Sequence, residues 1–378
     1  MKMEDCRNWN EKEYRASIVA DRDVHSRTIF AAAFVPATAS AVPEHVATAS
    51  SNGSVALYPV QPSVSSSSHG IGDVGMTQNS PGIAKPSMIV GKHDGPAYGL
   101  LSYGEDDNAL LLSCGDDGRI QGWRWKEIHA ALSCETTSGR KLQPTLDFRN
   151  PQQRGPFSAL CPIPETNALA ANSRTGSLFA AAGDGCAYAW DMETGKNTMV
   201  FQGHSDYLHC IASRPSHNQI ITGSEDGTAR IWDCRSGECV AALDPWNAVK
   251  ISKKPMAKLP WISCLSLDAS DNWLVCGNGG HCVTLWSLPG LDCVTRICMR
   301  ATPQAVTIAN DQILTVGTQP ILSRWSFGGT LLSQAVCAPL SAFSVSVHPS
   351  GLTAVAGYGG LVDIISEFGS HLCTFCCG

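Results

Sequence analysis

The sequence predicts an all-β protein assembled from seven similar modules in series, preceded by one short helix. Three observations predict it. First, a pattern recurs. "CGDDGRIQGWRW" at Cys114–Trp125, "AAGDGCAYAWD" at Ala181–Asp191 and "TGSEDGTARIWDCR" at Thr222–Arg235 each read as two strands joined by an Asp-Gly turn and closed by tryptophan. Second, the pattern has a period. Trp190 to Trp232 spans 42 residues, Trp286 to Trp325 spans 39, and Trp325 to the equivalent Ile364 spans 39. Third, the runs between turns are short, apolar and β-branched, and are bounded by Gly, Asn and Asp, which suits strands rather than helices.

The elements follow in order. Residues 1–27 form an N-terminal extension. Within it Asn8–Val24, "NWNEKEYRASIVADRDV", is rich in Glu, Arg and Ala and reads as a helix. Modules are expected at residues 28–92, 93–148, 149–201, 202–243, 260–297, 298–335 and 336–376, within a repeat domain of residues 28–378. Weaker copies of the pattern mark the outer ones: "ASSNGSVALYP" at Ala49–Pro59, "GNGGHCVTLWS" at Gly277–Ser287, "GTQPILSRWS" at Gly317–Ser326 and "GYGGLVDIIS" at Gly357–Ser366. Each module reads as four strands. In the fourth these are Leu208–Ser213, Ile220–Ser224, Thr228–Asp233 and Cys239–Leu243. The longer gaps, Tyr58 to Trp123 (65 residues), Trp123 to Trp190 (67) and Trp232 to Trp286 (54), hold inserts. Gln61–Ser87 is Ser/Gly/Pro-rich and reads as a flexible surface loop. Ile128–Lys141 reads as a further loop. Pro245–Leu259 carries Lys250, Lys253, Lys254 and Lys258 and reads as a solvated loop, with an RNA or partner contact as the alternative.

A repeat of this period, with a Gly-His start and a Trp-Asp finish, resembles the WD40 repeat. The resemblance implies a seven-bladed WD40 β-propeller with a short N-terminal helix. It also implies a buried His–Asp–Ser/Thr–Trp network in each intact blade. Such a carboxylate needs donors, and imidazole and hydroxyl supply them. The fourth module carries His204, Thr222, Asp226 and Trp232, and the second carries His93, Ser113, Asp117 and Trp123. These residues are read as structural rather than catalytic. The third module keeps Asp184 and Trp190 but has Gln153 and Ala180 at the other positions. The first has Asn52 at the turn, and Gly280, Gln319 and Tyr358 replace the aspartate in the last three. Those three are expected to rely mainly on apolar packing.

Ile220–Arg235 also resembles the DWD box. The matching positions are Ile220, Ile221, Asp226, Ile231, Trp232, Asp233 and Arg235. The resemblance implies docking on the damaged-DNA-binding adaptor of cullin-4 ubiquitin ligases, as a substrate receptor. Arginine suits such a role because its planar fork pairs bidentately with carboxylates. The third module reads Trp190-Asp191-Met192-Glu193 and lacks the closing base.

Longer segments are more specific. "NWNEKEYRASI" at Asn8–Ile18, "YGEDDNALLLSCGDDGRIQGWRWKE" at Tyr103–Glu127, "GHSDYLHC" at Gly203–Cys210 and "GYGGLVDIISEFGSHLCTF" at Gly357–Phe375 together resemble the THO complex subunit 6 family, in its plant form. That resemblance implies a non-catalytic nuclear scaffold of the THO/transcription-export assembly, acting in messenger RNA processing and export. The other THO subunits, the coiled-coil subunits five and seven among them, would be its partners.

Composition narrows the classes. The formal net charge is −6, with 27 Lys+Arg against 33 Asp+Glu, and no basic run of five appears. RNA is therefore expected only indirectly, through partners. Seventeen cysteines lie scattered, many in apolar runs where a thiol behaves as a small hydrophobe. The tail pair Cys373-x-x-Cys376 lacks a second pair at finger spacing and reads as a strand end with exposed thiols, not a metal site. No phosphate loop, nucleophile elbow or ligand cluster is present, so no enzyme activity, metal or cofactor is expected. No apolar run is long enough to cross a membrane.

Overall fold

The computed structural model describes residues 10–36, 43–60, 83–104, 109–133, 142–154, 160–248 and 260–378, apart from the side chains of Ala20, Asp21, Val24 and His25. Helix α1 (Glu11–Ser26) begins where Asn10 Oδ1 accepts the Lys12 N–H at 3.0 Å. It starts and ends a few residues later than the sequence reading. Asn8 and Trp9 lie outside the described residues.

Among the described residues seven sheets follow, six of four antiparallel strands and one in which a fifth strand joins four antiparallel ones in parallel. Blade one contains β1 (Ile29–Phe34), β2 (His45–Ser50) and β3 (Ser54–Pro59). A two-residue strand β4 (Ile83–Ala84) then leaves the blade, which β5 (Met88–Lys92) completes. Blade two is β6 (Ala97–Tyr103), β7 (Leu110–Gly115), β8 (Arg119–Arg124) and, after helix α2 (Trp125–Leu132), β9 (Leu146–Arg149). Blade three is β10 (Thr166–Asn172), β11 (Ser177–Ala182), β12 (Ala187–Asp191) and β13 (Asn197–Phe201). Blade four is β14 (Leu208–Arg214), β15 (Gln219–Ser224), β16 (Ala229–Asp233) and β17 (Cys239–Leu243). Blade five is β18 (Ile262–Leu267), β19 (Trp273–Asn278), β20 (Cys282–Ser287) and β21 (Asp292–Cys298). Blade six is β22 (Pro303–Ala309), β23 (Gln312–Gly317), β24 (Ile321–Ser326) and β25 (Leu331–Val336). Blade seven is β26 (Ala342–Val347), β27 (Thr353–Gly357), β28 (Leu361–Ile365) and β29 (His371–Cys377).

The burial of each strand follows from its rank in the blade. The second strands are covered on both faces by neighbouring blades, so they read as continuous apolar or small runs: "LLLSCG" in β7 and "TAVAG" in β27 are buried throughout. The outermost strands face solvent, and in β25 only Ala335 is even half-buried. The core is correspondingly divided between blades. Ala170 and Phe179 of blade three pack with Leu208, Ile220 and Trp232 of blade four. Ile29 and Val46 of blade one pack with Val362 and Phe375 of blade seven. That last cluster closes the ring.

Two inserts differ from the sequence reading. Ile128 does not open a loop, because α2 extends to Leu132. Trp125 and Ile128 share one helix face and are buried, and Trp125 Nε1 donates to Ser102 Oγ at 3.2 Å. Residues 134–141 lie outside the described residues, as do 61–82 and 249–259 with their four lysines. The first insert is more than a loop. Its end, β4, pairs in parallel with β29, Ile83 opposite Cys376 and Ala84 opposite Cys377. Tyr58 Oη donates to the Gly378 carbonyl at 3.1 Å, and Arg27 Nη1 to the Cys377 carbonyl at 3.0 Å. Blade seven thus supplies all four of its own antiparallel strands, and blade one clasps it from outside. The tail thiols are not exposed: Cys376 and Cys377 are buried and Cys373 is half-buried against the shared core.

Candidate functional site

Blade four builds its polar network from the loop before β14 and the β15–β16 turn, which lie at the same end of the blade. His204 Nδ1 meets Asp226 Oδ2 at 2.8 Å, His204 Nε2 meets Thr222 Oγ1 at 2.8 Å, and Trp232 Nε1 donates to Thr222 Oγ1 at 2.8 Å. Asp226 also accepts the Ser205 N–H (3.2 Å), the Thr228 N–H (2.9 Å) and the Thr228 hydroxyl (2.7 Å). Burial works against the ionised form of Asp226. The bonds from His204 and Thr228 outweigh it and hold the carboxyl well below the usual carboxylate range. Every lone pair that could activate a substrate is already engaged.

Blade two repeats the arrangement only in part. His93 Nδ1 meets Asp117 Oδ1 at 2.9 Å and His93 Nε2 meets Ser113 Oγ at 2.7 Å. The Asp94 and Arg119 N–H groups bond Asp117 at 3.1 and 3.0 Å. Burial opposes ionisation of Asp117 too, and the His93 bond again prevails and lowers its pKa. The expectation for Trp123 is corrected: its Nε1 is buried with no hydrogen-bond partner. The indole is seated on the bare backbone of Gly91, where an added Cβ would lie 2.2 Å from the ring.

Blade three solves the same problem with another residue. Tyr188 donates its phenol to Asp184 Oδ2 at 2.5 Å, and Gln153 Nε2 adds a bond at 3.1 Å. Tyr188 pairs across the strands with Ala180, which stands where blade four has Thr222, so the small side chain makes room for the ring. Burial and the Asp184 bond push the Tyr188 hydroxyl far up. No position of the repeat marks Tyr188, because the repeat places the partner of its carboxylate at the imidazole. The signal was the loss of the hydroxyl at 180 with a gain of one on the facing strand.

Blades five to seven, expected to rely mainly on apolar packing, also carry polar contacts of their own. Trp325 Nε1 donates to Thr315 Oγ1 at 3.0 Å, half of the network surviving in blade six. Trp286 Nε1 turns instead to Thr284 of its own strand at 3.0 Å. Blade seven buries Asp363 completely. Its carboxylate accepts the Ala338 N–H at 2.6 Å and the Thr374 hydroxyl, and His371 Nδ1 stands 3.8 Å away.

The opposite face presents the β16–β17 turn. There Asp233 Oδ1 accepts the Arg235 N–H at 2.8 Å, Gly237 N–H returns to the Asp233 carbonyl at 2.8 Å, and Gly237 takes a φ of +75°, so the turn is locally fixed. The Arg235 side chain is 77% exposed, and its closest carboxylate contact is Nε to Asp233 Oδ1 at 3.9 Å. Blade three builds the same turn: Glu193 N–H bonds Asp191 Oδ1 at 2.9 Å, and Gly195 has φ +69°. Glu193 occupies the place of Arg235, so adjacent equivalent turns carry opposite charge. Of the DWD-like positions, Ile220, Ile221, Ile231 and Trp232 are buried, and Asp226 is held in the network on the other face. The reading of all seven as contact residues is therefore corrected. Only Asp233 and Arg235 are placed to touch another molecule, and the rest position the turn.

Among the described residues no three His, Cys, Asp or Glu side chains stand together as a metal site, and no helix is long and apolar enough to cross a membrane.

Known proteins resemble this chain in sequence and in fold. Residues 195–233 match the family described as WD domain, G-beta repeat. THO complex subunit 6 of Arabidopsis thaliana is 48% identical over 98% of this chain and 98% of its own length. THO complex subunit 6 of Homo sapiens is 32% identical over 75% of this chain and 78% of its own length. Among solved structures, the WD40 β-propeller domain of Doa1 superposes with a TM-score of 0.62, covering 90% of this chain and 93% of that one at 16% identity. That last likeness bears on the fold alone.

Proposed function

The chain belongs to the THO complex subunit 6 family, and from that premise we propose that it is a non-catalytic scaffold subunit of a nuclear THO assembly that acts in messenger RNA processing and export. The single observation that carries the reading beyond kinship is the employment of its reactive groups. His93, Asp117, His204 and Asp226, the residues that would suggest catalysis, are bound to one another inside blades two and four. What remains is a rigid disc whose rim and loops are open to other proteins. The coiled-coil THO subunits five and seven are the partners that suit it. A net charge of −6 favours reaching RNA through them rather than directly.

The test is purification of the tagged full chain from nuclei, with and without ribonuclease. Other THO subunits should co-purify in fixed ratio and survive the nuclease. Recovery of the chain without them, or their loss on RNA digestion, defeats the reading.

A second role on the opposite face is favoured by one feature, the exposed guanidinium of Arg235 on its fixed turn. There the chain would dock on the damaged-DNA-binding adaptor of a cullin-4 ligase as a substrate receptor. Arg235→Ala should release adaptor and cullin while retaining the THO subunits. Equal adaptor recovery with wild type and variant removes this role and leaves the first intact.

A further inference from the structure

The structure brings two free thiols together at a place no sequence motif marks. Cys282 opens β20 and Cys298 ends β21, and the two face each other in register. The Met299 N–H donates to the His281 carbonyl at 2.8 Å, which makes Cys282 and Cys298 a non-hydrogen-bonded pair. Such pairs bring Cα atoms to about 4.5 Å, inside the range a disulfide spans. Their sulfurs already stand 4.0 Å apart. Closing the bond to about 2 Å asks for side-chain rotation and leaves the ladder in place.

The surroundings divide the labour. Cys298 is exposed and lines a cleft of ≈ 280 Å³ with Met299, Arg300 and Trp325. Cys282 is buried beneath it. The Arg296 guanidinium points at Cys282 Sγ, with Nε at 3.2 Å and Nη2 at 3.0 Å, and lies over the Trp246 ring at 5.2 Å. A fixed cation at that distance stabilises a thiolate. Burial pushes the Cys282 thiol up and outweighs the opposing pull of Arg296, so its pKa stays above the ordinary thiol value.

We propose that Cys282 and Cys298 form a reversible cross-strand disulfide, with glutathione disulfide as oxidant, Cys298 as the solvent-facing thiol that attacks it and Arg296 as the positioning residue for Cys282. Cys298 thiolate attacks one glutathione sulfur, forming Cys298–S–SG and releasing a first glutathione thiolate. Cys282 thiolate then attacks Cys298 Sγ, forming the protein S–S bond and releasing a second. Two electrons leave the cysteines and reduce one glutathione disulfide to two glutathiones, which take up the two thiol protons. The product pins the outer strand of blade five to its neighbour, and reduced glutathione reverses it.

The full-length protein is incubated over a series of glutathione disulfide to glutathione ratios, quenched by alkylation and mapped by mass spectrometry. A linked Cys282–Cys298 peptide is expected, lost on reduction and absent in Cys298→Ser. In Arg296→Gln the Cys298–glutathione adduct should persist and closure should slow measurably, because the cation that favours the Cys282 thiolate is gone. Exposed Cys239 is the reference thiol. If Cys239 takes glutathione while wild-type Cys298 stays free, or stops at the mixed adduct, the proposal is overturned. Should Arg296→Gln fail to fold, the wild-type and Cys298→Ser time courses decide alone.

Discussion

Blades four and seven each bury a carboxylate, and they do so in different places. Asp226 sits in the β15–β16 turn, at the position the repeat prescribes, held by His204 and Thr228. Asp363 sits in the middle of β28, at a position the repeat leaves apolar, held by Thr374 and the Ala338 N–H. Blade seven has meanwhile lost every member of the repeat network, with Tyr358 at the turn and Ile364 in place of the tryptophan. The lesson concerns what a propeller requires. A blade can bury a carboxylate at more than one position, provided that its oxygens find donors there.

Substitutions at the two sites test whether these devices are energetically alike, and the largest effect is expected first. Asp226→Ala strands the imidazole of His204 and the hydroxyl of Thr228, and should cost about 2–4 kcal/mol in a urea or thermal melt. A melt that overlays wild type would show the turn network to be idle. Asp363→Asn keeps the shape and one acceptor, and should cost less, about 1–3 kcal/mol. If it costs more than Asp226→Ala, the off-repeat device is the stronger of the two. Trp232→Phe should cost about 1 kcal/mol more than Trp123→Phe, because only the first removes a made hydrogen bond while both remove the same indole. Equal losses would mean that the Trp232–Thr222 bond contributes nothing.

The smallest effect is a pH dependence. The bonds to Asp226 depress its carboxyl below the value it has in the unfolded chain. Its contribution is therefore complete above about pH 4 and drains away as pH falls through the folded-state value. The gap in urea midpoint between wild type and Asp226→Asn should narrow between about pH 5 and about pH 3. A gap that widens in acid would reverse the sign assigned to this group.

The period of the tryptophans and the Asp-Gly turns announced the ring because both belong to local sequence: a hairpin turn and a closing aromatic lie within a dozen or so residues. The His204–Asp226 network was readable for the same reason, through positions fixed by the repeat. Tyr188, Asp363 and the Cys282–Cys298 pair were not readable. Each depends on which residue stands opposite on the next strand, and that register appears only once the sheet is formed. Trp123 shows the converse. Its residue type fits the pattern, yet the glycine at 91 lets the ring settle away from a partner. Helix α2 lies where the repeat places only a loop between strands. The apolar spacing of Trp125, Ile128 and Leu132 was there to be counted.

The clasp between Ile83–Ala84 and Cys376–Cys377 gives the molecule a history as well as a shape. During synthesis the short strand emerges with the first blade and must wait, unmated, until the seventh blade has been made. Completion of the circle is thereby reserved for β29, and a product that stops short of it would leave the first-made blade without its clasp as well as the seventh unfinished.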